Sequence, residues 1–241
     1  MSLLSLLPAC GGSAPKEVRT GATGSGQSLR THIAVDWPDL ATPPGVVGGG
    51  EGDSALVVGI ERYDFVPPVL GAVANARDWY TYFTGALGVP ATKIKLVPQD
   101  RATREEMLAG LEWAAKQAAP GARVWFVFIG HGAPTAGDGL LVGVDARQTA
   151  TGLESRSLRH GEALATLNRS SARPVIVLDA CFSGQTSGGE SVVPGLQPLR
   201  LADLPDAGRA VVMTAAASDQ YAGPLPGSRT ARPAFSYLAL G

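Results

Sequence analysis

Cysteine is scarce in this sequence. The two present, Cys10 and Cys181, lie far apart and make no disulfide framework. Histidine is nearly as scarce, with three in the chain, and neither residue type recurs at the spacing of zinc ligands. No acidic string of the EF-hand kind is visible. Neither sign of charge dominates. The 20 Lys and Arg against 21 Asp and Glu leave a net charge of −1, without the basic excess that nucleic acid or an anionic membrane surface would attract. No apolar run approaches the roughly 20 residues of a membrane-spanning helix. What remains is a chain of 241 residues, 45 % hydrophobic and 17 % charged. That suffices for one sizeable core and is short for two domains once the N-terminal stretch is set aside.

Two segments stand out. Residues 173–184 carry Val175, Ile176, Val177 and Leu178, an apolar and mostly β-branched run that suits a strand buried on both faces. The run ends in Asp179-Ala180-Cys181, then small residues and Gly184. Residues 123–132 repeat the shape, with an apolar run from 124 to 129 followed by Gly130-His131-Gly132. Each strand delivers one reactive side chain just past its C-terminal end, the edge at which open parallel sheets bind ligands. A cysteine and a histidine arriving there form a candidate nucleophile and base.

Gly130-His131-Gly132 together with Asp179-Ala180-Cys181-Phe182-Ser183-Gly184 resembles the caspase-like cysteine peptidases of the peptidase C14 family, in particular their bacterial, metacaspase-type members. The histidine precedes the cysteine by 50 positions, as in caspases, where the separation is about 50. The caspase string Gln-Ala-Cys-x-Gly is met loosely, with Asp179 in place of Gln. The resemblance implies a three-layer αβα fold with a mostly parallel central sheet. The alternation of strand and helix patterns points independently to a three-layer α/β architecture.

Residues 1–53 differ in composition from the rest. Leu7-Pro8-Ala9-Cys10 resembles a bacterial lipoprotein signal, which would make Cys10 a lipid anchor and the following Gly/Ser/Pro-rich stretch a tether. No Lys or Arg precedes the short apolar run, so a disordered leader is the competing reading. A cytoplasmic location and an envelope-anchored one both stay open. Residues 32–37 read as a short edge strand or a pro-segment, and His32 as inert. The peptidase domain is expected over residues 54–241, with its final helix clipped.

Residues 54–60 read as the first core strand, with Tyr63 matching a tyrosine that often follows it in the family. A helix is expected from Leu70 to Leu87, burying Val73, Ala76, Tyr80, Phe83 and Leu87 and ending at Gly85 and Gly88. Residues 93–97 form a second strand. Thr103 and Glu106 make a capping box for a helix that buries Met107, Leu111, Ala114 and Ala118 and stops at Pro120-Gly121. Residues 138–146 resemble a family strand or hairpin flanking the site. Residues 158–167 are a weaker helix in which His160 looks exposed. Residues 185–205 are a Gly-rich loop of the kind that relatives cut or rearrange. Residues 208–214 are a strand, 215–220 resemble the segment beside the substrate cleft and include Ser218, and 234–238 open the last helix.

The resemblance assigns roles. Cys181 is the nucleophile and His131 its base and later the acid for the leaving amine. The amides of Gly132 and Cys181 form the oxyanion hole, and small residues at 130 and 132 let the backbone approach substrate. Metacaspase-like members take Arg or Lys at the scissile position, held by acidic residues. Asp179 matches one, with the alternative that backbone amides merely satisfy its carboxylate. The second acid is here Asn75, and Ser218 borders the same cleft. A preference for Asp would need arginines, for which Arg62 and Arg232 are weak candidates. No cofactor is implied beyond the calcium that part of the family uses. The partner is a protein or peptide substrate, and oligomeric state stays open. Against the endopeptidase stands a catalytically silent module of the same fold that only binds partners. A further alternative is another Cys–His family on the same fold, of the separase or gingipain kind.

Overall fold

Apolar strands set the centre of the molecule. The structure, a computed structural model, describes residues 38–40, 45–180, 182, 207–215, 225 and 232–241. These belong to one unit, Asp36–Gly241. Five strands pair in parallel: β1 (Ser54–Gly59), β2 (Ile94–Val97), β3 (Arg123–Ile129), β7 (Arg173–Asp179) and β8 (Val211–Thr214). Their spatial order is β2-β1-β3-β7-β8. β1, β3 and β7 sit inside the sheet, and β1 is buried along its whole length. This is why they read as continuous apolar runs and not as alternating ones.

The two faces of the sheet are covered by different helices. Leu56 and Val58 of β1 and Phe126 and Phe128 of β3 point to one face. There they join Met107, Leu111 and Ala114 of α2 (Arg104–Gln117) and Ala163, Leu164 and Leu167 of α4 (His160–Asn168). Ala55, Val57 and Val127 point to the other. There they meet Ala72, Ala76 and Trp79 of α1 (Ala72–Thr81), Phe83 just beyond it, and Leu240 of α5 (Ala234–Leu240). The result is a three-layer αβα fold around a parallel sheet. Burying each Val, Leu, Ile or Phe contributes about 1.5–3 kcal/mol, and the inner strands alone carry more than ten such side chains.

A second sheet stands beside the first. β4 (Gly132–Thr135), β5 (Asp138–Val142) and β6 (Ser157–Arg159) pair antiparallel, with α3 (Ala150–Arg156) between β5 and β6. β3 and β4 follow each other with only Gly130 and His131 between them. His131 therefore sits where the chain leaves one sheet for the other.

Several expectations change in detail. The first helix starts at Ala72, and Tyr82–Ala86 forms a wider π-helical turn before Gly88 turns the chain at φ +73°. Its buried stripe is Ala72, Ala76, Trp79 and Phe83, while Val73 and Tyr80 are only half-buried. Residues 157–159 form β6, so the helix expected from 158 begins at His160. That histidine is fully buried, not exposed. The strand expected from 208 begins at Val211, after a turn through Gly208. α3 was not foreseen. Of the Thr103–Glu106 box only the cap half forms: the Thr103 hydroxyl accepts from the Glu106 amide at 3.3 Å, while the Thr103 amide donates to the Arg101 carbonyl and the Glu106 carboxylate pairs with Lys95. Cys10, residues 32–37, the loop 185–205 and Ser218 lie outside the described residues.

Candidate active site

β1 sits between β2 and β3, so the chain moves outward in one direction to β2 and returns on the other side to β3. The switch point lies between the C-terminal ends of β1 and β3, and that is where a doubly wound sheet leaves a crevice. The residues just past those ends are the loop 61–71 and His131.

His131 is 6 % exposed. Its Nε2 lies 2.8 Å from the carbonyl oxygen of Pro67. A carbonyl only accepts, so Nε2 carries the proton and Nδ1 keeps its lone pair. Burial lowers the pKa of the ring below the usual imidazole value, and the bond to Pro67 opposes this less strongly. Burial thus favours the neutral ring, and the Pro67 carbonyl selects its Nε2–H tautomer. The Tyr63 ring tilts against it at 5.1 Å between centroids, and the Tyr63 hydroxyl accepts a hydrogen bond from the His131 amide at 2.8 Å. Neither Pro67 nor the His131-directed role of Tyr63 was foreseen. The only signal available was the tyrosine itself, since a backbone carbonyl leaves no trace in residue type.

β3 and β7 are adjacent, and their register pairs Ile129 with Asp179. The Gly130 amide extends the ladder to the Asp179 carbonyl at 3.2 Å. His131 and Cys181 are each the second residue beyond that last pair. Cys181 lies outside the described residues, while its neighbours Ala180 and Phe182 are buried. The amide of Val142 donates to the His131 carbonyl at 3.0 Å. The His131 carbonyl thus takes the bond that flanks the first pair of the β4–β5 ladder, while the His131 amide does not join that ladder. Gly132 and Leu141 are therefore a non-hydrogen-bonded pair, and the Gly132 amide turns away from β5.

Asp179 is 3 % exposed, and its Oδ2 accepts from the Ser236 amide at 2.9 Å. Ser236 is the third residue of α5, so Asp179 satisfies one of the free amides at that helix start. Burial pushes the carboxyl pKa up, and contacts to Ser236 and Asn75 pull it partly back. Asn75, fully buried on α1, donates to the Pro233 carbonyl at 2.9 Å and accepts from Arg232 Nε at 2.8 Å. Arg232 also pairs with the Asp78 carboxylate and lies over the Tyr237 ring. The structure therefore brings Asp179 and Asn75 together, with α5 and its preceding residues held against them. Among the described residues no three His, Cys, Asp or Glu side chains are grouped to hold a metal ion, and no helix is long and apolar enough to cross a membrane.

The structure is thus a helix-covered parallel sheet with a buried histidine just past β3 and, beside it, a strand whose sequence continues to Cys181. The chain belongs to the caspase-domain family, peptidase C14, whose pattern matches residues 53–231. That is a family of cysteine peptidases, and its substrates are proteins. No curated protein matches the chain. Among solved structures, the crystal structure of caspase-1 from Spodoptera frugiperda is similar with a TM-score of 0.45 and 14 % identity, over 85 % of this chain and 73 % of that one.

Proposed function

We propose that the chain is a cysteine endopeptidase of the metacaspase type that cuts after a basic residue, with Cys181 as nucleophile and His131 as base. The peptidase domain would span 54–241, behind a leader of residues 1–53. The observation that supports the reading most is the Ile129–Asp179 register, because it sets the strand that leads into His131 beside the strand whose sequence continues to Cys181. The tautomer supports it further. With Nε2–H held by Pro67, Nδ1 takes the thiol proton. The thiolate attacks the scissile carbonyl, the imidazolium returns its proton to the departing amine, and the C–N bond breaks to leave a thioester. Water, activated by the same imidazole, then releases the acid and restores the thiol.

The tetrahedral oxyanion would be met by the amides of Gly132 and Cys181, at roughly 3–4 kcal/mol per donor. The outward turn of the Gly132 amide from the β4–β5 ladder suits that role. Asp179, with Asn75 beside it and Ser218 at the rim, would receive the basic side chain, through a charge-assisted and planar contact where that residue is arginine. Of the two arginines weighed for an acidic substrate residue, Arg232 is the less suited. A cation for an acidic substrate residue would have to be free, and Arg232 is already paired with Asn75 and Asp78. The reaction as proposed draws on side chains and amides of this chain and names no cofactor.

The test is labelling. A peptidyl chloromethyl ketone ending in Arg should alkylate Cys181 with saturation kinetics, and His131→Ala should slow it by at least a hundredfold while the protein stays folded. Labelling of no residue, or labelling indifferent to His131, would leave a silent caspase-fold module as the better reading.

A further inference from the structure

The loop 61–71 holds His131 at two points, and only one of them is explained by proton transfer. Pro67 fixes the ring tautomer. Tyr63 holds the backbone. The reason lies in the strand change at His131. The β3–β7 ladder spends its last donor at Gly130, bonded to Asp179. The β4–β5 ladder uses the His131 carbonyl. The His131 amide belongs to neither ladder, and it is buried. A buried N–H without an acceptor is costly, and the Tyr63 hydroxyl supplies the acceptor at 2.8 Å.

The hydroxyl needs room, and Gly130 makes it. A Cβ at position 130 would lie 2.5 Å from the Tyr63 hydroxyl oxygen and 3.1 Å from Phe128 Cζ. The loop itself is braced. The Val69 amide donates to the Glu61 carbonyl, Gly71 to the Glu61 carboxylate, and Glu61 and Arg62 both to the Gln99 side chain. The Asp64 amide donates to the Val144 carbonyl just past β5, which ties the loop to the small sheet as well.

We propose that Tyr63, in the space left by Gly130, is the positioning residue of His131: it fixes the backbone from which the imidazole projects, while Pro67 fixes the ring. The catalytic meaning of this rests on the peptidase reading above, and the positioning itself does not. Burial keeps the phenol protonated, so it brings no charge near the base.

Tyr63→Phe keeps the ring and removes the acceptor. With Arg peptides kcat should fall about 10- to 100-fold, the size expected when a reacting group is displaced by up to about 1 Å, with KM nearly unchanged. The backbone amide signal and ring titration of His131, followed by NMR, should move in the same variant. Gly130→Ala should be more damaging in the Tyr63 protein than in the Tyr63→Phe protein, because the clashing oxygen is then gone. A Tyr63→Phe protein with unchanged kcat and an unmoved His131 titration would overturn the proposal. So would Gly130→Ala and Tyr63→Phe effects that simply multiply. If wild-type protein turned over no peptide, the titration would still decide. A moved ring would uphold the positioning and count against the peptidase alone, and an unmoved one would overturn the positioning.

Discussion

The proposed mechanism asks His131 to act as a base inside a protein that resists charge. Burial lowers its pKa below the usual value near 6.5, against a weaker upward pull from the Pro67 carbonyl. A base acts only when unprotonated, so the acid limb of kcat/KM should lie below pH about 6.5, with little change from there to neutrality. A limb above 6.5, measured on a peptide of constant charge, would mean that the imidazolium is the stabilised form. Asp179 is the second informative residue. Burial pushes its pKa up, and one of its oxygens accepts from the Ser236 amide, a bond that the side-chain oxygen of Asn can also accept. Asp179→Asn should therefore change stability by less than about 1 kcal/mol. It should cost Arg peptides a charge-assisted contact, about 10- to 100-fold in kcat/KM. Equal losses on Arg and uncharged peptides would remove Asp179 from the pocket. At this scale the sequence offered candidates for the reactive residues and was blind to what holds His131. His131 and Cys181 follow strands that announce themselves. The Pro67 carbonyl and the Tyr63 hydroxyl reach His131 across 64 and 68 positions.

Among the elements, α4 carries a liability at its first residue. His160 is fully buried, and neither ring nitrogen has a hydrogen-bond partner among the described residues. Burial lowers its pKa, while the Asp138 carboxylate nearby acts in the opposite sense. A depressed imidazole pKa means that the unfolded chain takes up the proton first. Stability is then intact above about pH 6.5 and is lost as pH falls from there toward the folded value. His131 works in the same direction. His160→Leu should shrink the drop in Tm between pH 7.5 and 5 without abolishing it, and an unchanged drop would contradict the assignment. α1 sets a different constraint. A Cβ at Gly59 would come within 2.6 Å of Ala76 Cβ and 2.7 Å of the Ala72 carbonyl, so this helix rides directly on β1. Gly59→Ala should destabilise by at least about 1 kcal/mol in denaturant titration; a neutral result would mean the helix shifts freely. α3 and β6 show where pattern reading ends. Thr151, Gly152, Glu154 and Ser155 carry no apolar period, and Leu153 is the single buried residue of α3. Three residues of β6 are too few to display one, and their partners on β5 lie 15 to 19 positions away.

Over the whole molecule, the site is assembled at one place from distant parts of the chain. β3 brings His131, β7 leads to Cys181, the loop after β1 brings Tyr63 and Pro67, and α1 and α5 close around Asp179. That assembly follows from the order β2-β1-β3-β7-β8, which places the switch point beside β3. The parallel, doubly covered sheet was legible because β1, β3 and β7 are apolar on both faces. The small antiparallel sheet was only half legible, because β4 is four residues long and opens with glycine. The central claim is that this assembly hydrolyses peptides through Cys181 after a basic residue. Its most direct measurement is turnover of a fluorogenic peptide series differing only at the scissile residue, with and without calcium, by wild type and by folded Cys181→Ala. The account predicts cleavage of Arg and Lys peptides that disappears in the variant. Cleavage of Asp peptides instead, cleavage that survives in Cys181→Ala, or silence on every peptide would contradict it.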